Sequence, residues 1–204
     1  MIILLRQTSY ARFAKNLIEN FAKNIPFTPN QITISSIFLA LLAFFAIYSN
    51  QLFVGLFLFL VSGLFDALDG AVARTKKQKT NFGFFLDGVS DRIVEFLFIA
   101  SFLFLPFPGI PKEPTLFALL FFSMIIPYVK SYADHSKTLS HEAALKMGGI
   151  FERSERLIFF YIILISTILG FEILSNYLLL LAAFLSFITF IQRFNYAKQF
   201  AKKI

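Results

Sequence analysis

Cysteine is absent from the 204 residues, and histidine occurs only twice. The absence of cysteine excludes disulfides and thiol chemistry. Charged residues are also scarce, at 15% of the chain, whereas hydrophobic residues make up 57%, with 30 phenylalanines and a mean hydropathy of +0.72. So apolar a chain does not fit a soluble domain, and its length leaves little room for a second one. The composition therefore predicts a single multi-span membrane domain covering residues 1–204.

Features of exported and nucleic-acid-binding proteins are missing as well. No cleavable signal peptide is expected, because the first apolar run, residues 1–5, is short and Arg6 follows it. The formal net charge of +7 does not indicate nucleic-acid binding, since that function needs a basic soluble surface. We expect this charge to reflect membrane orientation and contact with anionic lipid.

Apolar runs predict an all-α, polytopic membrane fold with six transmembrane helices. Ahead of them, residues 7–25 place apolar side chains at helical spacing opposite Arg12, Lys15 and Lys23. That pattern predicts an amphipathic helix on the membrane surface, within a juxtamembrane segment 1–28; a soluble contact helix is the alternative. The six spans are expected at residues 30–48, 52–75, 82–105, 115–137, 152–170 and 177–196, with a proline-rich loop at 106–114, a polar segment at 138–149 and a turn at 172–176.

A capping motif precedes the first span. Thr28 can cap the helix, Pro29 suits its first position, and Gln31 completes a capping box. Asn30 and Gln31 could be ordinary cap residues, or they could reach toward a site at the same membrane face.

Basic residues are divided unequally between the two faces of this predicted bundle. Six crossings put both termini on one side, and Lys112 is then the only basic residue in the loops of the other side. The positive-inside rule predicts that both termini and the 76–79 turn face the cytoplasm, in a cell membrane.

Four aspartates flank the basic turn between the second and third predicted spans: Asp66, Asp69, Asp87 and Asp91. Asp66 and Asp69 are three residues apart and Asp87 and Asp91 four apart, so each pair shares a helix face. Two like charges about 4 Å apart repel by roughly 4 kcal/mol at an effective dielectric near 20, and carboxylates at a membrane boundary are costly without partners. Divalent cations would remove this repulsion, and oxygen-only ligands favour Mg²⁺ or Mn²⁺ over zinc. Salt bridges are the alternative, with cations available at Arg74, Arg92, Lys76, Lys77 and Lys79.

Eight residues of this segment carry a family resemblance: Asp66, Asp69, Gly70, Ala73, Arg74, Gly83, Asp87 and Asp91. At every position and spacing they fit D-x2-D-G-x2-A-R-x8-G-x3-D-x3-D, and so resemble the CDP-alcohol phosphotransferase, or CDP-alcohol phosphatidyltransferase, family. The resemblance implies a six-helix membrane enzyme that moves a phosphoalcohol from a CDP-linked donor to an acceptor hydroxyl and releases CMP. It also implies a homodimer and a role in phospholipid biosynthesis.

Residue roles follow from the same resemblance. Asp66, Asp69 and Asp87 are expected to ligate two divalent metals, Mg²⁺ or Mn²⁺, with Asp91 also close to them. Asp91 is expected to be the general base. The donor is expected to be CDP-diacylglycerol or CDP-archaeol, its cytidine diphosphate held by Asp66, Asp69, Gly70, Ala73, Arg74 and Gly83.

Cations on the later spans indicate the acceptor. Lys130 lies in the fourth predicted span, Arg153 and Arg156 begin the fifth, and Arg193 lies near the inner end of the sixth. If these residues face the acids, they form a pocket suited to an acceptor that carries a phosphate. Interfacial anchoring by snorkelling is the alternative.

Within the family, segments 28–33, 131–132 and 152–157 are most similar to the branch that makes phosphatidylinositol phosphate or archaetidylinositol phosphate from inositol phosphate. Gly88 stands where the bacterial glycerophosphate branch usually carries proline. Residues 133–136 depart from the inositol branch, which tends to have more arginine there. Glycerol phosphate or serine as acceptor, and CDP-inositol as donor, are therefore alternatives.

Two functions outside the family are also compatible with grouped acids. A membrane prenyltransferase binds Mg²⁺ through Asp-rich motifs, but its two motifs lie far apart and its reaction releases diphosphate. A cation transporter gathers acids near the membrane midplane, whereas the acids of this chain are predicted at a boundary.

Overall fold

The computed structural model describes residues 22–201, and the secondary structure of these residues is helical, without strands. The all-α class is therefore confirmed for the described residues. Of the amphipathic helix predicted at 7–25, residues 7–21 lie outside them. We number the helices α1 (Pro29–Tyr48), α2 (Leu52–Thr75), α3 (Asn81–Ser101), α4 (Lys112–His135), α5 (His141–Lys146), α6 (Arg153–Ile168) and α7 (Glu172–Phe200), with a 3₁₀ turn at Phe102–Phe104.

Among the described helices, α1, α2, α4 and α7 are long and apolar enough to cross a membrane. This is the composition of a multi-pass membrane protein. The third and fifth predicted spans correspond to α3 and α6. These two helices do not combine the length and the apolar composition of the other four, each for a different reason. α3 carries four charged residues along its length, and α6 has only 16 residues.

Three differences from the predicted connections between the helices stand out. The loop expected to run through Pro114 ends at Pro111, because proline is tolerated in the first turn of α4. The turn predicted at 172–176 is wrong: these residues are helical, and Gly170, with a φ of +79°, turns the chain just before α7. The polar segment 138–149 contains the short helix α5, which Ser140 caps by accepting a hydrogen bond from the Ala143 N–H.

The helices fall into two compact units, of which the first comprises the described residues up to Ala43 together with Phe57–Val94. The predicted capping box is confirmed at its start: the Thr28 N–H donates to Gln31 Oε1 (2.9 Å), and the Gln31 N–H donates to Thr28 Oγ1 (3.4 Å). Further along, the Ser62 hydroxyl donates to the Ser36 carbonyl (2.8 Å), and the Ser36 and Ser90 hydroxyls lie 3.3 Å apart. These small buried residues let α1, α2 and α3 approach one another closely.

A tight connection joins α2 to α3 within this unit. Lys77 adopts a left-handed conformation with a φ of 56°, and the Gln78 N–H donates to the Ala73 carbonyl (3.0 Å), which closes the last turn of α2. Thr80 then caps α3, since its Oγ1 accepts a hydrogen bond from the Gly83 N–H (2.9 Å). The connection brings the acidic end of α2 beside the acidic beginning of α3.

The second unit comprises Phe44–Leu56 and the chain from Glu95 onward. Here α7 packs against both α4 and α6. Phe98, Phe102 and Phe160 form a buried cluster whose rings meet edge to face at centroid distances of 5.6 to 5.8 Å. Edge-to-face packing of this kind explains part of the high phenylalanine content.

Candidate active site

Three carboxylates meet at the α2–α3 connection. Asp66 and Asp69 come from α2 and Asp87 from α3, and one oxygen of each lies within 4.8 Å of the others. Asp69 is buried, and Asp66 and Asp87 are half-buried. Because all the donors are carboxylate oxygens at mutual distances that one cation can bridge, this group fits Mg²⁺ or Mn²⁺.

Thr33 of α1 contacts this group. Its hydroxyl donates to Asp69 Oδ2 at 2.5 Å, and it also lies 3.0 Å from the Pro29 carbonyl oxygen. Sequence reasoning did not assign Thr33 a role, although the residue belongs to the segment on which the branch resemblance depends. The signal that could have identified it is its position one helical turn after Pro29, at the start of the helix that the capping motif begins.

A cleft with a volume of about 240 Å³ opens beside the carboxylates. Apart from Asp66, the residues that the resemblance assigns to the cytidine diphosphate all line this cleft. Residues from the start of α1 and from the α2–α3 connection complete the lining. Its lining consists of Pro29, Asn30, Thr33, Asp69, Gly70, Ala73, Arg74, Gln78, Lys79, Thr80, Gly83, Phe84 and Asp87. The basic turn therefore contributes Lys79 to the cleft wall.

Gly83 lies where the cleft wall is tightest. A Cβ at this position would lie 3.0 Å from Thr80 Oγ1 and 3.3 Å from Asn30 Oδ1. Asn30 thus reaches the cleft, whereas Gln31 is engaged in the capping box. Asn30 therefore lies at the site, whereas Gln31 is an ordinary cap residue.

Asp91 lies one helical turn beyond Asp87 on α3 and is not in the group of three. Its Oδ2 accepts a hydrogen bond from Arg92 at 3.3 Å, and its side chain is about one-fifth exposed, at 19%. The Arg92 guanidinium thus pairs with Asp91, as the salt-bridge alternative expects for that residue, and the Lys76 ammonium donates to the Ile25 carbonyl. The role of Asp91 as general base stays a prediction.

The four cations predicted to bind the acceptor all lie in the second unit. Arg156 is fully buried, and it donates to Glu95 Oε1 at 2.6 Å and to the Phe151 carbonyl at 3.1 Å. Arg193 is buried too, with hydrogen bonds to Glu152 Oε2 (2.5 Å) and to the Ile126 carbonyl (2.7 Å).

Lys130 and Arg153 are less enclosed. The Lys130 ammonium donates to the Leu145 carbonyl at 3.2 Å, and Arg153 is the half-buried first residue of α6. Sequence reasoning missed the two carboxylates that balance the arginines, Glu95 and Glu152. Glu95 could have been noticed, since it continues the four-residue spacing of Asp87 and Asp91 along α3.

These observations define a class: a helical, multi-pass membrane protein with an oxygen-only carboxylate site for a divalent cation and a polar cleft next to it. The model of the CDP-alcohol phosphatidyltransferase family matches residues 26–190, and the chain belongs to that family. The match includes all eight signature residues, so the family resemblance is confirmed.

Relatives place the chain near the inositol phosphate branch. The archaetidylinositol phosphate synthase of Pyrococcus horikoshii is 37% identical over 174 residues, covering 84% of each chain. A structure of the phosphatidylinositol phosphate synthase of Mycobacterium tuberculosis with bound CDP-diacylglycerol superposes with a TM-score of 0.71, at 27% identity, over 89% of this chain and 94% of that one. A second structure of the same enzyme, in complex with manganese and citrate, also gives a TM-score of 0.71 at 27% identity, over 90% of this chain and 88% of that one.

Proposed function

We propose that this protein transfers a phosphatidyl or archaetidyl group from a CDP-linked lipid to a hydroxyl of inositol phosphate, releasing CMP. The observation that carries the proposal is the meeting of Asp66, Asp69 and Asp87 beside a cleft lined by Gly70, Ala73, Arg74 and Gly83 of the signature. The names of the relatives support inositol phosphate as acceptor, and the CDP-diacylglycerol complex of the mycobacterial enzyme supports a lipid donor.

Asp66, Asp69 and Asp87 would hold the divalent cations, with Asp91 nearby. From the family resemblance we expect two ions, Mg²⁺ or Mn²⁺. The manganese complex of the mycobacterial enzyme supports such a requirement. When bound, the cations supply electrostatic stabilisation of the charge that develops on the diphosphate as CMP leaves.

Side chains of the cleft bind and orient the donor. Arg74 suits the diphosphate, because its guanidinium can donate two hydrogen bonds to phosphate oxygens. Gly70 leaves space for the nucleotide next to Arg74, and Gly83 leaves space next to Thr80 and Asn30. Ala73 lies on the same face of α2 as Gly70 and also lines the cleft. Oriented in this way, the donor presents its β-phosphorus to the acceptor.

Asp91 acts in the proposed reaction as the general base. The acceptor hydroxyl oxygen forms a bond to the β-phosphorus while the bond from that phosphorus to the CMP oxygen breaks. The hydroxyl proton passes to the Asp91 carboxylate. The products are the phosphodiester lipid and CMP, and the charge is balanced.

Lys130, Arg153 and Arg193 are proposed to bind the phosphate of the acceptor. Their positive charge favours a phosphorylated alcohol over neutral inositol. Arg156 was grouped with them from the sequence, but its guanidinium bonds Glu95 and the Phe151 carbonyl. We propose that it serves the pocket by fixing the segment that leads into Arg153.

The membrane arrangement is part of the proposal. Six crossings, formed by α1, α2, α3, α4, α6 and α7, would put both termini and the carboxylates at the cytoplasmic face, in one domain spanning 1–204. The distribution of lysine and arginine supports this orientation. The donor's lipid tails would lie among the helices, and the protein would form a homodimer.

CMP release by the purified protein in detergent tests the function. The donors are CDP-diacylglycerol, CDP-archaeol and CDP-inositol, each offered with inositol phosphate, inositol, glycerol phosphate or serine, in the presence of Mg²⁺ or Mn²⁺. We expect release with a CDP-lipid and inositol phosphate, and none after chelation of the metal.

Other outcomes of this assay separate the alternatives. CMP release with glycerol phosphate or serine alone would identify that compound as the acceptor in place of inositol phosphate. CMP release with CDP-inositol would identify CDP-inositol as the donor in place of a CDP-lipid. Release of diphosphate from a prenyl donor would point to a prenyltransferase, and metal-dependent flux in liposomes without a CDP substrate to a transporter; either would overturn the proposal.

A further inference from the structure

We propose that Thr33 is a positioning residue for the metal site: its hydroxyl fixes the orientation of the Asp69 carboxylate for binding the cation. This inference rests on the proposed divalent-cation site at Asp66, Asp69 and Asp87. It concerns a residue that lies outside the acidic signature and on a different helix.

The contact joins two buried side chains that are distant in sequence. Thr33 is 3% exposed and Asp69 is 5% exposed, and their oxygens lie 2.5 Å apart across the interface of α1 with α2. A hydroxyl that donates to a carboxylate forms a charge-assisted hydrogen bond, which is stronger than one between neutral groups. Water has little access to replace this donor, because both side chains are enclosed.

The position of the hydroxyl is set by α1 itself. Thr33 is β-branched, so few χ1 rotamers are open to it in a helix, and its Oγ1 also lies 3.0 Å from the Pro29 carbonyl oxygen, the alternative acceptor for the same hydroxyl proton. The capping box of Thr28 and Gln31 fixes the start of the same turn. The donor therefore stands on a rigid element, and its geometry does not depend on the α2–α3 connection.

A neutral donor suits this place better than a cation would. A carboxylate has two oxygens and can accept several hydrogen bonds, so a single hydroxyl on Oδ2 restricts its rotation while leaving acceptor capacity for a metal. An arginine or lysine at the same place would neutralise Asp69 and compete with the divalent ion. Groups that orient metal ligands typically affect metal affinity by roughly 10- to 100-fold.

Direct binding of Mn²⁺ to the full chain in detergent tests the inference. Electron paramagnetic resonance of free Mn²⁺ gives the dissociation constant in the absence of any CDP substrate. We expect Thr33→Val, which keeps the β-branched shape but removes the donor, to weaken Mn²⁺ binding roughly tenfold or more. Thr33→Ser, which keeps the hydroxyl, should restore most of the affinity.

Ser36→Ala is the matched control. It also removes a buried hydroxyl from α1, but that hydroxyl contacts Ser90 and the Thr33 carbonyl and no aspartate. Mn²⁺ affinity should stay unchanged in this variant, and thermal unfolding in EDTA should show whether either variant is merely less stable. In an Asp69→Asn background, Thr33→Val should have no additional effect on Mn²⁺ binding.

The possible failures are distinguishable. If the wild type does not bind Mn²⁺, the cation site and this inference are both wrong. If the wild type binds it and Thr33→Val binds it equally well, only the role of Thr33 is wrong. Should Thr33→Val fail to fold, Thr33→Cys provides a weaker donor of similar volume; affinity equal to that of the wild type would overturn the inference, and weakened affinity would support it.

Discussion

The four signature aspartates occupy different environments. Asp69 is buried and accepts the Thr33 hydroxyl, whereas Asp66, Asp87 and Asp91 are half-buried. Asp91 lies outside the group of three and contacts Arg92. This difference is compatible with two kinds of role, metal binding by the three carboxylates that meet and the proposed general-base role for the fourth.

Replacing Asp91 by asparagine tests the second role. Asp91→Asn keeps the side-chain shape but removes the base, so CMP release should fall by roughly 10²- to 10⁴-fold while binding of the CDP donor is largely retained. Rates under saturating substrate and equilibrium donor binding would be measured side by side. Asp134→Asn is the control, because Asp134 pairs with His141 at 2.7 Å in the second unit and should leave turnover near the wild-type value. Turnover in Asp91→Asn close to that of the wild type would remove Asp91 from the base role.

Two glycines of α3 provide a matched test of the cleft. Gly83→Ala would place a Cβ 3.0 Å from Thr80 Oγ1 and 3.3 Å from Asn30 Oδ1, whereas Gly88→Ala meets no atom within 4 Å. We expect Gly83→Ala to raise KM for the CDP donor roughly tenfold, equivalent to about 1.4 kcal/mol, because the cleft wall must shift.

Gly88→Ala should leave KM unchanged and, by the helix preference of alanine over glycine, stabilise α3 by up to about 1 kcal/mol. Steady-state kinetics against the CDP donor and thermal unfolding would give both quantities. Equal KM values for the two variants would mean that the cleft at Gly83 does not receive the nucleotide.

At the scale of helices, local chemistry and the bounds of α2 could be predicted from the sequence, whereas the start of α7 could not. The capping box at Thr28 and Gln31 depends only on residues three apart, so the sequence was sufficient to predict it. The start of α7 depends on the left-handed turn at Gly170 and on the burial of Ser175, whose hydroxyl bonds that of Ser166 at 2.7 Å. Such a contact between two helices cannot be read from hydrophobicity alone.

The segment that leads into α6 is held against α7 by a close backbone approach. The Phe151 N–H donates to Thr189 Oγ1 (3.0 Å) and the Ile150 N–H to Gln192 Oε1 (3.0 Å). A Cβ at Gly149 would lie only 2.3 Å from Thr189 Cγ2. Glycine is therefore needed at 149 for this docking.

Gly149→Ala should lower the free energy of unfolding by roughly 1 to 3 kcal/mol, as expected for overpacking. Adding Thr189→Ser should recover part of this loss, since serine lacks Cγ2 but keeps the oxygen that accepts from Phe151. Gly148→Ala, whose nearest neighbour would be 3.9 Å away, is the control, and thermal unfolding in detergent is the measurement. A Gly149→Ala protein as stable as the Gly148→Ala protein would show that the segment can move away from α7.

For the molecule as a whole, the sequence predicted the family and the meeting of Asp66, Asp69 and Asp87, because both depend on fixed spacing across one connection. The sequence did not predict which carboxylates pair with the arginines of the second unit. Glu95 and Arg156 are 61 residues apart, and Glu152 and Arg193 are 41 apart, so only the folded chain shows that they pair. The surroundings of the proposed acceptor-binding cations were therefore less accessible to sequence reasoning than the three carboxylates.

The Glu95–Arg156 pair should matter more for stability than for acceptor binding. Its side chains are 0% and 1% exposed, so Arg156→Met would remove a guanidinium that is hydrogen-bonded to a fully buried carboxylate, and breaking such a pair costs about 3 to 5 kcal/mol. The double variant Glu95→Leu/Arg156→Met should regain most of that stability, because apolar replacements of a buried pair are often close to neutral. Thermal unfolding and KM for inositol phosphate would be measured on both. A stable double variant with a strongly raised KM would instead return Arg156 to the acceptor site.

The 16 residues of α6 have a consequence for the surrounding bilayer. At 1.5 Å per residue the helix is about 24 Å long, shorter than the roughly 30 Å hydrocarbon layer of a typical membrane. As the proposed fifth crossing, it would require the lipid to thin locally, or its flanking residues to lie at hydrocarbon depth. The thickness of the host membrane would then influence the position of Arg153 at the first turn of α6. The acyl-chain length of the surrounding lipids would thus affect the protein independently of the lipid that it uses as substrate.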